Sequence, residues 1–211
     1  MVEHSSDKIA HIHQELHSHL PAEPALRTKA LESLLVEKGM IDPATVDAWV
    51  DAHAETIGPK NGAKVIARSW VDEEFKARLL EDAGAAIEEL GLLQGHLTAV
   101  ENTDDVHNLV VCTLCSCYPM GLLGMAPSWY KMAAYRSRAV REPRKVLEEF
   151  GVQLSPDIPV RVWDSTAELR YLVIPQRPAG TEDWDEARLA SLITRNAMIG
   201  TARDLSIEEQ A

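Results

Sequence analysis

The sequence predicts an α+β fold: an N-terminal helical arm, then a layered α/β sandwich domain with a mostly antiparallel sheet and a metal-binding claw loop after a strand. Three observations predict it. Apolar residues recur at helical intervals up to about residue 90. Beyond that point come two pairs of short, apolar-rich runs, 96–101 with 106–111 and 159–163 with 168–174, each pair joined by a short polar turn as in a hairpin. Finally, the chain has only three cysteines, and Cys112, Cys115 and Cys117 all stand within six residues directly after the second run.

In the arm, Ile9, Ile12, Leu16 and Leu20 share a helical face over 5–20, which Pro21 and Pro24 then stop. A second helix is expected from Pro24 to Gly39, and a third from an Asp42 cap through Pro43, Val46, Trp49 and Val50 towards Gly58. Three such helices have little core of their own, so their apolar faces must land on the main domain or on another subunit. Turn chemistry in Gly58-Pro59-Lys60-Asn61-Gly62 marks the boundary between an extension, 1–57, and the main domain, 58–211. Helices are expected over 63–71 and, after an Asp72 cap, over 73–90, with Val65, Ile66, Trp70, Phe75, Leu79 and Ile87 on apolar faces and Gly91 as the stop. A Gly/Pro-rich loop, 119–127, follows the cysteines. Helices over 129–138 and 143–150 and a last one over 184–195 complete the reading, with no internal repeat.

Net charge is −12, with the acidic residues spread along the chain and no basic stripe to offset them, which excludes a phosphate-backbone partner. No run approaches the roughly 20 consecutive apolar residues of a membrane span. The first residues lack the basic-then-apolar grammar of a secretory signal, so a soluble cytoplasmic protein is expected, with neither nucleic acid nor membrane as partner.

Three clustered cysteines are the opposite of a dispersed disulfide framework, and a bridge between Cys115 and Cys117 would close a strained ring. The cluster therefore reads first as a metal site and second as a redox switch. Thiolates at i, i+3 and i+5 cannot all face one way on a straight helix or strand, so a tight loop must wrap around what they bind and bring its backbone close. A structural zinc site needs a fourth Cys or His, and no second ligand pair at knuckle spacing exists; His107, the nearest imidazole, fits a core or surface place better than a ligand. The alternative is a claw in which deprotonated main-chain nitrogens of Ser116 and Cys117 join the sulfurs. Such a set suits a low-spin trivalent ion with one open, Lewis-acidic position.

The run Val110-Val111-Cys112-Thr113-Leu114-Cys115-Ser116-Cys117-Tyr118-Pro119 resembles the metal-binding motif of nitrile hydratase alpha subunits. Further segments are similar to that family in the same order from about residue 58 onwards: Gly58-Pro59-Lys60-Asn61-Gly62-Ala63, Trp70-Val71-Asp72, Val100-Glu101-Asn102-Thr103, Trp129-Tyr130-Lys131, Tyr135-Arg136-Ser137-Arg138, Glu142-Pro143-Arg144-Lys145-Val146-Leu147 and Arg177-Pro178-Ala179-Gly180-Thr181-Glu182. The resemblance implies a lyase subunit that hydrates a nitrile to the amide at a non-corrin cobalt(III) centre, with 58–211 as the metal-binding catalytic domain. It implies Cys112 as the axial thiolate opposite the open site, and Cys115 and Cys117 in the plane with the Ser116 and Cys117 nitrogens. Cys115 would be oxidised to sulfinate and Cys117 to sulfenate. Thr113 and Tyr118 resemble the cobalt type, so Co(III) is expected, with Fe(III) second to it. The implied partners are a beta-type subunit, whole or split, whose arginines contact the oxidised sulfurs, a metallochaperone or activator for cobalt loading, and a small-molecule nitrile.

In such a reaction the developing imidate charge is stabilised at the metal, and the nucleophile is either a metal-activated water or the sulfenate oxygen of Cys117. Gln94 matches a family pocket glutamine, and an exposed loop amide is the competing reading. Arg170 matches a family arginine near the subunit interface and active site, against a strand arginine paired to a surface carboxylate. Trp129 and Tyr130 read as core or pocket wall. One departure stands out. Met120-Gly121 occupies the place where relatives carry Trp-Pro, and a flexible methionine in a pocket wall implies a wider, softer pocket. That suits a specialised member acting on a bulky heteroaromatic nitrile, such as toyocamycin nitrile hydratase, or the related thiocyanate hydrolase. A reading of another class is a non-catalytic zinc or redox-sensing thiol module. In the arm, His13 and His17 share a face one turn apart, with His11 and His19 beside them; a solvated helix face explains them more simply than a role in metal loading.

Overall fold

In the computed structural model, which describes residues 23–55, 58–92, 95–203 and 205, the chain divides into two units after Asp51. The expected first helix and His11, His13, His17 and His19 lie outside the described residues.

The first unit holds α1 (Glu23–Glu37) and most of α2 (Pro43–Glu55). Gly39 ends α1 in the left-handed conformation, φ 65°, and its N–H and that of Met40 return to the carbonyls of Val36 and Leu35. Asp42 caps α2, accepting from the Ala44 amide at 3.3 Å and the Thr45 hydroxyl at 3.0 Å. Leu26, Leu31, Leu34, Trp49 and Val50 remain exposed on these helices, as does Met40 in the turn between them.

In the second unit, α3 (Pro59–Val71) begins on a proline, whose missing N–H costs nothing at a helix start, and buries Val65, Ile66 and Trp70. Asp72 accepts from the Phe75 amide to cap α4 (Glu73–Glu81), and Asp82 does the same for Ala85 to start α5 (Ala83–Glu88). The expected single helix over 73–90 is therefore two helices. Asp82 interrupts it, because its carboxylate takes up an amide of the next turn and re-caps the chain.

Strand pairing corrects the expected antiparallel sheet, because the described strands form two two-stranded sheets, both parallel. β1 (Leu97–Glu101) pairs in parallel with β4 (Arg170–Ile174), from Leu97 opposite Arg170 to Glu101 opposite Ile174. β2 (His107–Val111) pairs in parallel with β3 (Val160–Asp164), from His107 opposite Val160 to Val111 opposite Asp164. The turn between β1 and β2 is a corner, with a single antiparallel bridge between Thr103 and Val106. There the buried Asn102 side chain accepts the Asn108 amide at 2.7 Å, a bond a hairpin ladder would have supplied. All five residues of β2 are buried, as for a strand covered on both faces. Parallel partners need a long crossover, and residues 112–159 supply it.

That crossover carries the cysteine loop and then α6 (Met120–Leu123), α7 (Ser128–Lys131), α8 (Ala133–Arg141) and α9 (Pro143–Glu149). The helix expected over 129–138 breaks at Met132, whose backbone is extended. After β4, α10 (Glu186–Leu192) and α11 (Arg195–Ile199) stand where one helix over 184–195 was expected. Ile66, Phe75, Leu79, Leu109, Leu147, Leu172 and Ile174 form the core between helices and strands. His107 belongs to it: its Nε2 lies 2.7 Å from the Gly200 carbonyl, and burial lowers its pKa. Among the described residues no helix is long and apolar enough to cross a membrane.

Candidate metal centre

Parallel pairing brings β2 and β3 to an end side by side, and the cysteine loop starts where they end. The Val111 carbonyl accepts the Ser165 amide at 2.7 Å, and Cys112 follows inside the core. From there the loop turns outward, so Cys112 is buried, Cys117 half-buried and Cys115 exposed. The sulfurs converge all the same. Cys112 Sγ lies 3.3 Å from Cys115 Sγ, which lies 3.1 Å from Cys117 Sγ, and the Cys115 amide donates to Cys112 Sγ at 3.3 Å.

These separations test which ion the loop fits. With metal–sulfur bonds of about 2.3 Å, two sulfurs of a tetrahedral zinc site stand about 3.8 Å apart, whereas two at a right angle stand about 3.3 Å apart. The observed 3.3 and 3.1 Å match the right angle. Among the described residues the three thiols form a group with no fourth His, Cys, Asp or Glu, so further donors must come from the loop's backbone or from outside the group. Right-angled soft donors suit an octahedral or square-based ion better than a tetrahedral structural zinc.

Mutual hydrogen bonding polarises the thiols unequally. Bonds to Cys117 and Cys112, helped by the Ser116 amide, lower the Cys115 thiol to about 7. Burial, followed by the bond to Cys115 and the charge of its neighbours, pushes Cys117 up to about 12. Without metal, the exposed Cys115 is thus the sulfur of this pair that ionises near neutrality, and the thiolate is the form that binds metal and is oxidised.

Four side chains from other elements hold the loop and the strand that leads into it. At its start Asp164, the last residue of β3, accepts from the Thr113 amide at 2.8 Å and the Thr113 hydroxyl at 2.5 Å. Arg136 of α8 donates from Nη1 to the Cys115 carbonyl at 2.8 Å and, more loosely, to the Thr113 carbonyl at 3.4 Å. The Tyr130 hydroxyl donates to the Cys117 carbonyl at 3.0 Å, and the Tyr135 hydroxyl to the Val110 carbonyl at 2.7 Å. Burial pushes both phenols up, so each stays a donor. The rings are locked edge-on: Trp129 stands 4.9 Å from Tyr135 and 4.7 Å from Phe150, and Tyr118 stands 5.2 Å from Tyr130.

Of the residues singled out in the sequence, Cys112, Thr113, Cys115, Ser116, Cys117 and Tyr118 share this loop. Tyr118 is buried, and its hydroxyl has no hydrogen-bond partner among the described residues. Met120 opens α6 with 46% of its surface exposed, Trp129 is half-buried in the aromatic cluster and Tyr130 is wholly buried beneath the loop. Arg170 opens β4, half-buried, and among the described residues its side chain makes no hydrogen bond or ion pair. Gln94 lies outside the described residues. Sequence reasoning missed Asp164 and Arg136 as loop holders. In the sequence Asp164 falls in a polar turn and Arg136 in a family-like segment, and no local pattern ties either to residues 51 or 21 positions away.

The family model for the nitrile hydratase alpha chain matches residues 22–202. The chain is 54% identical over 183 residues to the low-molecular weight cobalt-containing nitrile hydratase subunit alpha of Rhodococcus rhodochrous, covering 85% of this chain and 88% of that one. It is 38% identical over 187 residues to the thiocyanate hydrolase subunit gamma of Thiobacillus thioparus, covering 82% and 76%. Among solved structures, a double mutant of the Fe-type nitrile hydratase from Comamonas testosteroni Ni1 matches with a TM-score of 0.76 at 43% identity, over 91% of this chain and 97% of that one.

Proposed function

The chain belongs to the nitrile hydratase alpha-chain family, and from that premise we propose that it is the metal-carrying subunit of a nitrile hydratase, hydrating a nitrile to the amide at a non-corrin cobalt(III) centre. The observation that carries the reading is three converging sulfurs, with Cys115 at right-angle spacing from both others, in a loop with no fourth side-chain ligand among the described residues. Cobalt is preferred to iron because a relative at 54% identity is a cobalt enzyme, and Thr113 and Tyr118 follow the cobalt pattern. Bound there, a trivalent cobalt supplies a Lewis acid that leaves the nitrile carbon open to attack by oxygen.

The protein's own residues hold and shape that site. Cys112, Cys115 and Cys117 provide the sulfurs, and the main-chain nitrogens of Ser116 and Cys117 complete the set. Exposure and easy ionisation suit Cys115 to the deeper oxidation, to sulfinate, with Cys117 as sulfenate. Asp164 and Tyr130 keep the two ends of the loop from relaxing when a ligand enters. Gln94 orients the substrate. Arg170 supports the site from the subunit interface, a role open to a half-buried guanidinium with no partner among the described residues. Met120, exposed just after the loop, supplies a flexible pocket wall that suits bulky nitriles, while Trp129 and Tyr130 lie in the core.

A beta-type subunit, whole or split, completes the enzyme, and an activator loads the cobalt. Exposed apolar residues around the loop support the partner: Leu114 is 84% exposed, and Met125, Met132 and Val140 are also bare. Residues 58–211 form the catalytic domain. Clustered rather than dispersed cysteines agree with a reducing, cytoplasmic setting. The thiocyanate hydrolase alternative is weaker, since the identity falls from 54% to 38%.

Elemental analysis and peptide mass spectrometry of the chain expressed with its partner and activator test the proposal. Expected are cobalt, two added oxygens on Cys115 and one on Cys117. Zinc with unmodified cysteines would return the chain to the thiol-module reading.

A further inference from the structure

We propose that Arg136 is the counter-cation of the metal loop's own backbone: it positions the peptide between Cys115 and Ser116 and balances the negative charge that this peptide carries when the Ser116 nitrogen binds metal. The inference rests on the reading above, in which that nitrogen is a ligand.

Its basis is which carbonyl Arg136 has chosen. The Cys115 oxygen, 2.8 Å from Arg136 Nη1, belongs to the same peptide unit as the Ser116 nitrogen. A peptide nitrogen that binds a metal as an anion has exchanged its proton for the metal, the proton leaving to water. Resonance across the planar unit then shares the new charge with the carbonyl oxygen. A guanidinium on that oxygen meets the charge where it collects, and a hydrogen bond between charged partners is the strong kind.

Neighbouring arginines show that this is not the ordinary use of a cation here. On the same helix Arg138 is committed to two carboxylates, Glu142 at 2.6 Å and Glu149 at 2.6 Å. Arg136 makes no ion pair among the described residues, although it gives up solvent to reach the loop. Its Nε is buried with no hydrogen-bond partner among them. Leaving a guanidinium nitrogen dry and the charge unpaired is unfavourable for a side chain that only brackets a loop. An anionic loop accounts for it. Asp164, the other charged holder, grips Thr113 on its amide and hydroxyl and so fixes the loop without reaching the peptide in question.

The test uses the complex of this chain with its beta partner, produced with activator and excess cobalt, as wild type, R136Q and R136K. R136Q keeps a donor and loses the charge, whereas R136K keeps the charge and loses the fork. Cobalt per chain, the rate of cobalt release to a strong chelator and the visible sulfur-to-metal absorption are read, with thermal melting as the check on folding. Expected for R136Q is release faster by on the order of tenfold or more with a shifted absorption band; for R136K, release within about threefold of wild type. Wild-type release and absorption in a folded R136Q would overturn the inference while leaving the functional reading intact. So would an R136K as impaired as R136Q, because the charge would then not be what matters. If R136Q does not assemble, R136K against wild type decides on the same threefold and tenfold limits. A wild-type complex without cobalt would overturn both readings.

Discussion

Cys115 and Cys117 are two residues apart and carry the same side chain, yet their environments drive them in opposite directions. Cys115 is exposed and accepts hydrogen bonds from its neighbours, which lowers it to about 7, whereas burial raises Cys117 to about 12. In the metal-free chain, thiolate at Cys115 is present above about pH 7 and is lost as the pH falls through that value. Iodoacetamide at pH 7.5 should therefore label Cys115 well ahead of Cys117, and the Cys115 labelling rate should fall by roughly tenfold for each unit of pH below 7. Peptide mapping after timed quenches checks this, and equal labelling of the two would refute the assignment. The donor types and their spacing could be read directly from residues 112–117. Their inequality could not, because it depends on how deep each sulfur sits and on what faces it.

At the scale of elements, two helix starts were readable because capping is local chemistry: Asp42 and Asp72 each satisfy an amide two or three residues further on, whereas Asp82, which caps in the same way, sits in a run whose apolar periodicity reads as one unbroken helix. Strand pairing was not readable, since a polar turn between two apolar runs looks the same whether it closes a hairpin or turns a corner. The corner wins here because β2 finds β3 on one side and buried neighbours on both faces. Gly200, after α11, shows how closely that strand is covered. Its φ is +90°, and a Cβ there would lie 1.9 Å from the Asn108 carbonyl oxygen of β2. Gly200→Ala should then cost at least about 3 kcal/mol by urea unfolding, since both the backbone conformation and the contact are strained and the obstacle is main chain. A loss below about 1 kcal/mol would mean that α11 sits less tightly on β2.

For the whole molecule, the loop lies in the crossover that joins two parallel strands, so its ends are tied to β2, β3 and α8 together. A metal that binds only this folded arrangement stabilises the fold by mass action. Removing cobalt from the assembled complex should lower its melting temperature by several degrees, and reloading should restore it; calorimetry of the loaded, stripped and reloaded forms measures this. An unchanged midpoint would show that the loop is organised independently of its ion.

The amino-acid sequence sufficed for the thiol cluster, the loop that must enclose it, the family and the capped helices, because each depends on residues within a few positions of one another. Folding in three dimensions decided the rest. It made the strand pairs parallel, drew the sulfurs to 3.1 and 3.3 Å, graded their burial, and brought Asp164, Tyr130 and Arg136 onto the loop's backbone. Such contacts join residues up to 51 positions apart, and only the packing of whole elements chooses among the many partners that chemistry alone allows.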